Sequence, residues 1–99
     1  MRRVARSLRK DPFSSVRCAY LEISSPSIPE AVRRAISEGA RELRILPYFV
    51  LSGRHIQEDI PRIVAEERKR WGRKVKIVLC SYLGYDERIV QVVRDRLRG

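Results

Sequence analysis

The sequence predicts an α/β fold in which a parallel sheet carries helices on both faces. Short β-branched runs alternate with amphipathic helical segments along the whole chain, and each run is closed by Ser, Gly or Pro. Strands that alternate with helices are joined by right-handed crossovers, so a three-layer αβα arrangement follows. The 99 residues suit one domain, because independent domains commonly hold about 100 to 150. Residues 1–99 are therefore read as a single unit without linker, repeat or low-complexity segment.

Each element has a local reason. Arg2 to Lys10 places Val4, Ala5 and Leu8 on one side among arginines, which predicts an amphipathic helix ended by Pro12. Val16 to Ile23 (VRCAYLEI) reads as a mostly buried strand bounded by serines, with Glu22 at its C-terminal end. Ser27-Ile28-Pro29-Glu30 joins a Ser cap, a first-turn Pro and a Glu three residues on, so a capping box should open a helix that Gly39 closes. Leu43 to Leu51 is the next predicted strand, with Pro47 marking its end or a bulge. It delivers Ser52-Gly53-Arg54-His55 to a loop. Ile56, Ile60, Ile63 and Val64 then recur at helical spacing as far as Trp71-Gly72, and Pro61 predicts a break near Asp59. Val75 to Cys80 is the last strand, and Asp86 caps a helix whose apolar face is Ile89, Val90, Val93 and Leu97.

Composition narrows the function classes. Apolar runs stay below the ~18 residues a membrane span needs, and no signal peptide is visible, which points to a soluble, cytoplasmic protein with no membrane partner. Cys18 and Cys80 lie in separate aliphatic runs without CxxC spacing, so buried free thiols are expected. The net charge of +10 comes mainly from 18 Arg and 4 Lys against 12 acids and predicts an anionic partner. A basic nucleic-acid-binding module has only this charge in its favour, because the cations are spread over helix faces without interleaved aromatics. A polycarboxylate small molecule is the other candidate.

Ligands of open parallel sheets bind beyond the carboxyl ends of the strands. That rule selects residues 22–27, 52–59 and 81–86, and it puts His55 and Glu22 on one rim. Imidazole and carboxylate suit a divalent first-row metal, and a histidine near neutral pKa also accepts protons. The competing reading is a solvent-exposed or helix-capping His55 and a Glu22 paired with one of the arginines. Glu58 and Asp59 are candidates to orient His55, or acids favoured in a helix's first turn. Tyr48, Phe49, Tyr82 and Tyr85 could stack on a flat ligand, with core packing the alternative for Phe49.

Residues 19–32 (AYLEISSPSIPEAV) and 45–61 (ILPYFVLSGRHIQEDIP) together resemble the small CbiX-type sirohydrochlorin cobaltochelatases and the related sirohydrochlorin ferrochelatases. The resemblance covers nearly the whole chain. It implies flavodoxin-like, chelatase-like winding and insertion of Co²⁺, or of Ni²⁺ or Fe²⁺ in relatives, into a sirohydrochlorin-type tetrapyrrole without a nucleotide. By resemblance His55 serves as metal ligand and base, and Glu22 as metal ligand. Arg54, beside Gly53, is then the candidate clamp for substrate carboxylates, and a homodimer is the expected assembly. A non-catalytic metal or tetrapyrrole carrier is the alternative. Family members open with a strand and a Gly-His-Gly-Ser loop that nothing here matches, so a domain lacking that first strand is expected. The place between 16–23 and 43–51 would then be a gap, a direct pairing or a partner's site.

Overall fold

The structure is a computed structural model that describes residues 1–9, 15–21 and 24–99. It has two compact units, Met1–Arg41 and Glu42–Gly99. In the first, α1 (Arg2–Leu8) is followed by an extended segment and by α2 (Ile28–Ser37). In the second, β1 (Glu42–Ile45) leads through a π-turn (His55–Asp59) into α3 (Ile60–Trp71), then β2 (Lys76–Leu79) and α4 (Glu87–Leu97).

The ends of α2 follow from its sequence. Ser27 Oγ accepts the Glu30 N–H at 3.3 Å and donates to Glu30 Oε1 at 3.1 Å, so the capping residues of the sequence do pair. At the other end Gly39 adopts φ 101°, which a Cβ would oppose, and lets its N–H reach Ile36 O while Ala40 N–H reaches Ala35 O. These two bonds satisfy carbonyls the last turn leaves open.

The strand expected at Val16 to Ile23 is corrected. Ile23 and Glu22 lie outside the described residues, and 15–21 form no ladder beyond an isolated parallel bridge of Tyr20 with Ser27. An extended segment becomes a strand only where a neighbour takes up its N–H and C=O groups. Here the Tyr20 N–H donates to Pro26 O at 2.9 Å, and Val16 O accepts from Arg9 Nε and Nη2 at 3.2 and 3.0 Å. A local turn and a side chain satisfy what a ladder would have used.

In the second unit β1 and β2 pair in parallel, Glu42 opposite Lys76 through Ile45 opposite Leu79. The ladder stops far short of Leu51, two residues before Pro47, which has no N–H to donate. Cys80 N–H still bonds Ile45 O at 2.8 Å. Helix α3 packs on β2 and presents Ile60, Val64 and Glu67 as a buried stripe, with Val75 and Ile77 buried as well. Glu67 breaks the apolar pattern: its Oε2 accepts from Arg70 Nη1 at 3.0 Å, whereas its Oε1 and Trp71 Nε1 are buried with no hydrogen-bond partner among the described residues. Helix α4 has no buried residue, and Val93 and Leu97 of its apolar face are exposed. Cys18 and Cys80 are free thiols, half-buried rather than fully buried.

Two measurements probe these elements. Ile60→Ala, at a side chain only 3% exposed, should lower the unfolding free energy by roughly 2–5 kcal/mol, and Ser27→Ala by about 1 kcal/mol, in urea titrations. At the start of α4 the Arg88 side chain, followed by the Arg88 backbone N–H, holds the Asp86 carboxyl well below the usual carboxylate range. A depressed folded-state pKa means that this cap is complete above the unfolded value near 4 and is lost only as pH falls through the lower folded one. The Arg88 amide resonance should therefore stay fixed from pH 7 to about 4 and move only in stronger acid.

Candidate functional site

Chemistry-bearing residues of the second unit collect where the parallel ladder ends. Past Ile45 the chain runs through Pro47, which is buried, to Ser52, and past Leu79 it runs through residues 80–86. A bond from Gly84 N–H to Phe49 O at 3.2 Å ties these two loops together.

His55 stands at the start of a helix, not in the loop the sequence suggested. Its turn is wide, with Ile60 N–H bonding back to His55 O. Pro61 explains this winding. In a regular α-helix its ring would clash with the carbonyl four residues earlier, and a π-turn relieves that crowding just ahead of it. The expected break near Asp59 is thus a widening rather than an interruption.

The turn is braced along its length. Gly53 O accepts from Ile56 and Gln57 N–H at 3.1 and 2.8 Å, and Gln57 Nε2 donates to Ser52 Oγ at 3.0 Å. Arg54 Nε donates to Glu58 Oε2 at 3.0 Å in a solvent-exposed pair. His55 Nδ1 lies 2.8 Å from Asp59 Oδ2, and Arg62 Nη2 stands 3.7 Å from the other carboxylate oxygen. The Phe49 ring sits 6.0 Å from the imidazole, tilted by 41°. The histidine is partly buried, oriented by a carboxylate and backed by an aromatic ring.

Of the two acids named from the sequence, Asp59 meets His55 and Glu58 meets Arg54. Gly53 has open space where a Cβ would be and needs no special backbone angle. Glu22 lies outside the described residues. Among those described, no group of three or more His, Cys, Asp or Glu is assembled to hold a metal ion.

The sequence reading missed an apolar surface on the same loops. Leu46, Val50 and Leu51 after β1, and Leu83 after β2, are exposed alongside Tyr48 and Tyr85, the last two named in advance. Leu51 is 80% and Tyr85 84% exposed, and apolar side chains gathered in this way mark a contact surface. The signal was the apolar run that continues beyond Pro47, where no ladder can bury it.

Known proteins resemble this chain in sequence and in backbone. The profile of the CbiX family matches residues 1–99. A sirohydrochlorin cobaltochelatase of Saccharolobus solfataricus is 32% identical over 90 residues, spanning 86% of this chain and 70% of that protein. The sirohydrochlorin cobaltochelatase of Sulfolobus acidocaldarius is 30% identical over 87 residues, spanning 88% and 68%. The crystal structure of a cobalamin (vitamin B12) biosynthesis CbiX protein from Marinobacter aquaeolei VT8 aligns with a TM-score of 0.80 at 26% identity, over 98% of this chain and 78% of that one. Sequence and backbone agree over essentially the full length, so this chain, with its layered α/β fold, belongs to the CbiX family.

Proposed function

We propose that residues 1–99 form a chelatase domain that inserts a divalent metal, Co²⁺ first among Co²⁺, Ni²⁺ and Fe²⁺, into a sirohydrochlorin-type tetrapyrrole. The observation that carries this reading is His55, held by Asp59 at 2.8 Å beside exposed apolar side chains at the strand ends. The names of the relatives support the metal and the ring.

Insertion exchanges one M²⁺ for the two pyrrole N–H protons of the macrocycle, so a site needs a metal ligand and a proton acceptor within reach of the ring. If the Nδ1 proton of His55 is donated to Asp59, the ring's lone pair is on Nε2. That nitrogen can hold the incoming metal and, once the metal has passed to the macrocycle, take up one pyrrole proton, the second leaving to solvent water. Asp59 also stabilises the imidazolium formed by proton uptake. Glu22 is assigned as the second ligand by its match to the family pattern. Arg54, next to Gly53, offers guanidinium N–H groups to a peripheral carboxylate of the substrate, in competition with Glu58. Tyr48, Leu51 and Tyr85 supply apolar contact for the ring. Self-association of two copies and a cytoplasmic setting belong to the same reading.

Purified protein should accelerate Co²⁺ insertion into sirohydrochlorin, followed by the change in visible absorption, and His55→Ala should slow it by at least about 100-fold. A His55→Ala rate equal to the parent's would remove the histidine from the mechanism. A parent that binds both metal and ring without accelerating insertion would instead be a carrier. Asp59→Ala should weaken Co²⁺ binding roughly 10–100-fold by calorimetry and shift the His55 ring nitrogens in ¹⁵N NMR toward a mixture of tautomers, with Asp59→Glu recovering part of both effects. Unchanged ring resonances in Asp59→Ala would refute the orienting role.

A further inference from the structure

We propose that the first unit contains an anion-binding pocket for a compact molecule bearing two or more phosphate or carboxylate groups. A cavity of about 330 Å³ is lined by Arg2, Arg6, Arg9, Arg17 and Arg34, with Tyr20 on its wall. All of these residues belong to Met1–Arg41. The pocket uses no residue of the His55 turn and does not rest on the chelatase reading.

Its construction argues for a ligand. Arg2, Arg6 and Arg9 recur at spacings of four and three, so α1 and its C-cap residue place them in one row. Like charges at these spacings destabilise a helix unless something neutralises them. The described residues around them do little of that. Arg9 spends its guanidinium on the neutral carbonyl of Val16, and Glu38 pairs with Arg17. Among the described residues no carboxylate pairs with Arg2, Arg6, Arg9 or Arg34. Four cationic side chains, from α1, its C-cap and α2, thus line one hollow with no carboxylate paired to them among the described residues.

Ala5, Cys18, Ser25, Pro26 and Ala31 complete the lining, short side chains that leave room among the arginines. Several guanidinium forks around one cavity suit ligands whose oxygens come in planar or tetrahedral groups, because each fork can make two parallel N–H···O bonds. Volume and charge together favour a multiply charged small molecule over a single halide ion.

Calorimetry with inorganic pyrophosphate and with citrate tests the site and separates phosphate from carboxylate chemistry. At least one of them should bind with a dissociation constant below about 1 mM. Arg6→Gln/Arg34→Gln should weaken that binding by at least about 10-fold. The control Arg33→Gln/Arg96→Gln removes the same charge from outside the pocket and should bind within about 2-fold of the parent. In ¹⁵N NMR, the backbone amides of Cys18 and Tyr20 should move on titration with the parent protein, a readout that needs no variant. Absence of binding by both anions, equal losses in the two double variants, or stationary Cys18 and Tyr20 amides would each overturn the proposal.

Discussion

The ladder between β1 and β2 is four residues long because Pro47 brings no N–H to it, and what is chemically interesting in residues 42–99 takes its position from that stop. A longer pairing would have laid Tyr48 to Leu51 flat in the sheet as alternating core and surface. Cut short, the same residues become a loop that meets the loop after β2 through the Gly84 to Phe49 bond. The exposed apolar side chains and the histidine turn then follow the carboxyl ends of the strands. A second proline acts on the other side of the loop, where Pro61 forces the winding ahead of α3 to widen.

The parts of this fold legible in the sequence were those governed by neighbours a few residues away. Ser27 and Glu30, Gly39, Asp86 and the two prolines each do what their local chemistry predicts, because caps and breaks are settled within one turn of chain. Residues 16–21, the described part of the strand expected over 16–23, failed on a different count. Their β-branched composition shows that the segment can be extended, but only distant residues decide whether its backbone groups find a ladder, and here Arg9 and Pro26 intervene. The same divide runs through the site. His55 and Asp59 were legible as a pair of candidates, whereas the helical state that brings Nδ1 to a carboxylate oxygen depends on how Pro61 is accommodated. The exposed apolar wall was hidden because residues 46–51 read as part of a strand rather than as a loop.

The strong positive charge also resolves into unlike parts. Arg88, Arg54 and Arg44 spend their charge on nearby carboxylates at the surface, and such exposed pairs contribute little to stability. Arg68 donates to Ile77 O and so ties α3 to β2. In the row on α1, Arg9 likewise donates to a carbonyl, Val16 O, whereas Arg2 and Arg6 pair with no carboxylate among the described residues. Counting arginines conceals this division of labour, which emerges only when each guanidinium is traced to its partner.

The wide turn at His55–Asp59 contains one more residue per hydrogen-bonded ring than an α-helix does. One residue is worth about 100° of rotation around a helix axis. The extra residue therefore acts as a phase adjustment between two faces of a single helical segment. It allows Ile60, Val64 and Glu67 to keep their bearing toward β2 while the imidazole takes a bearing of its own, so that packing and chemistry need not compete for the same side of the helix.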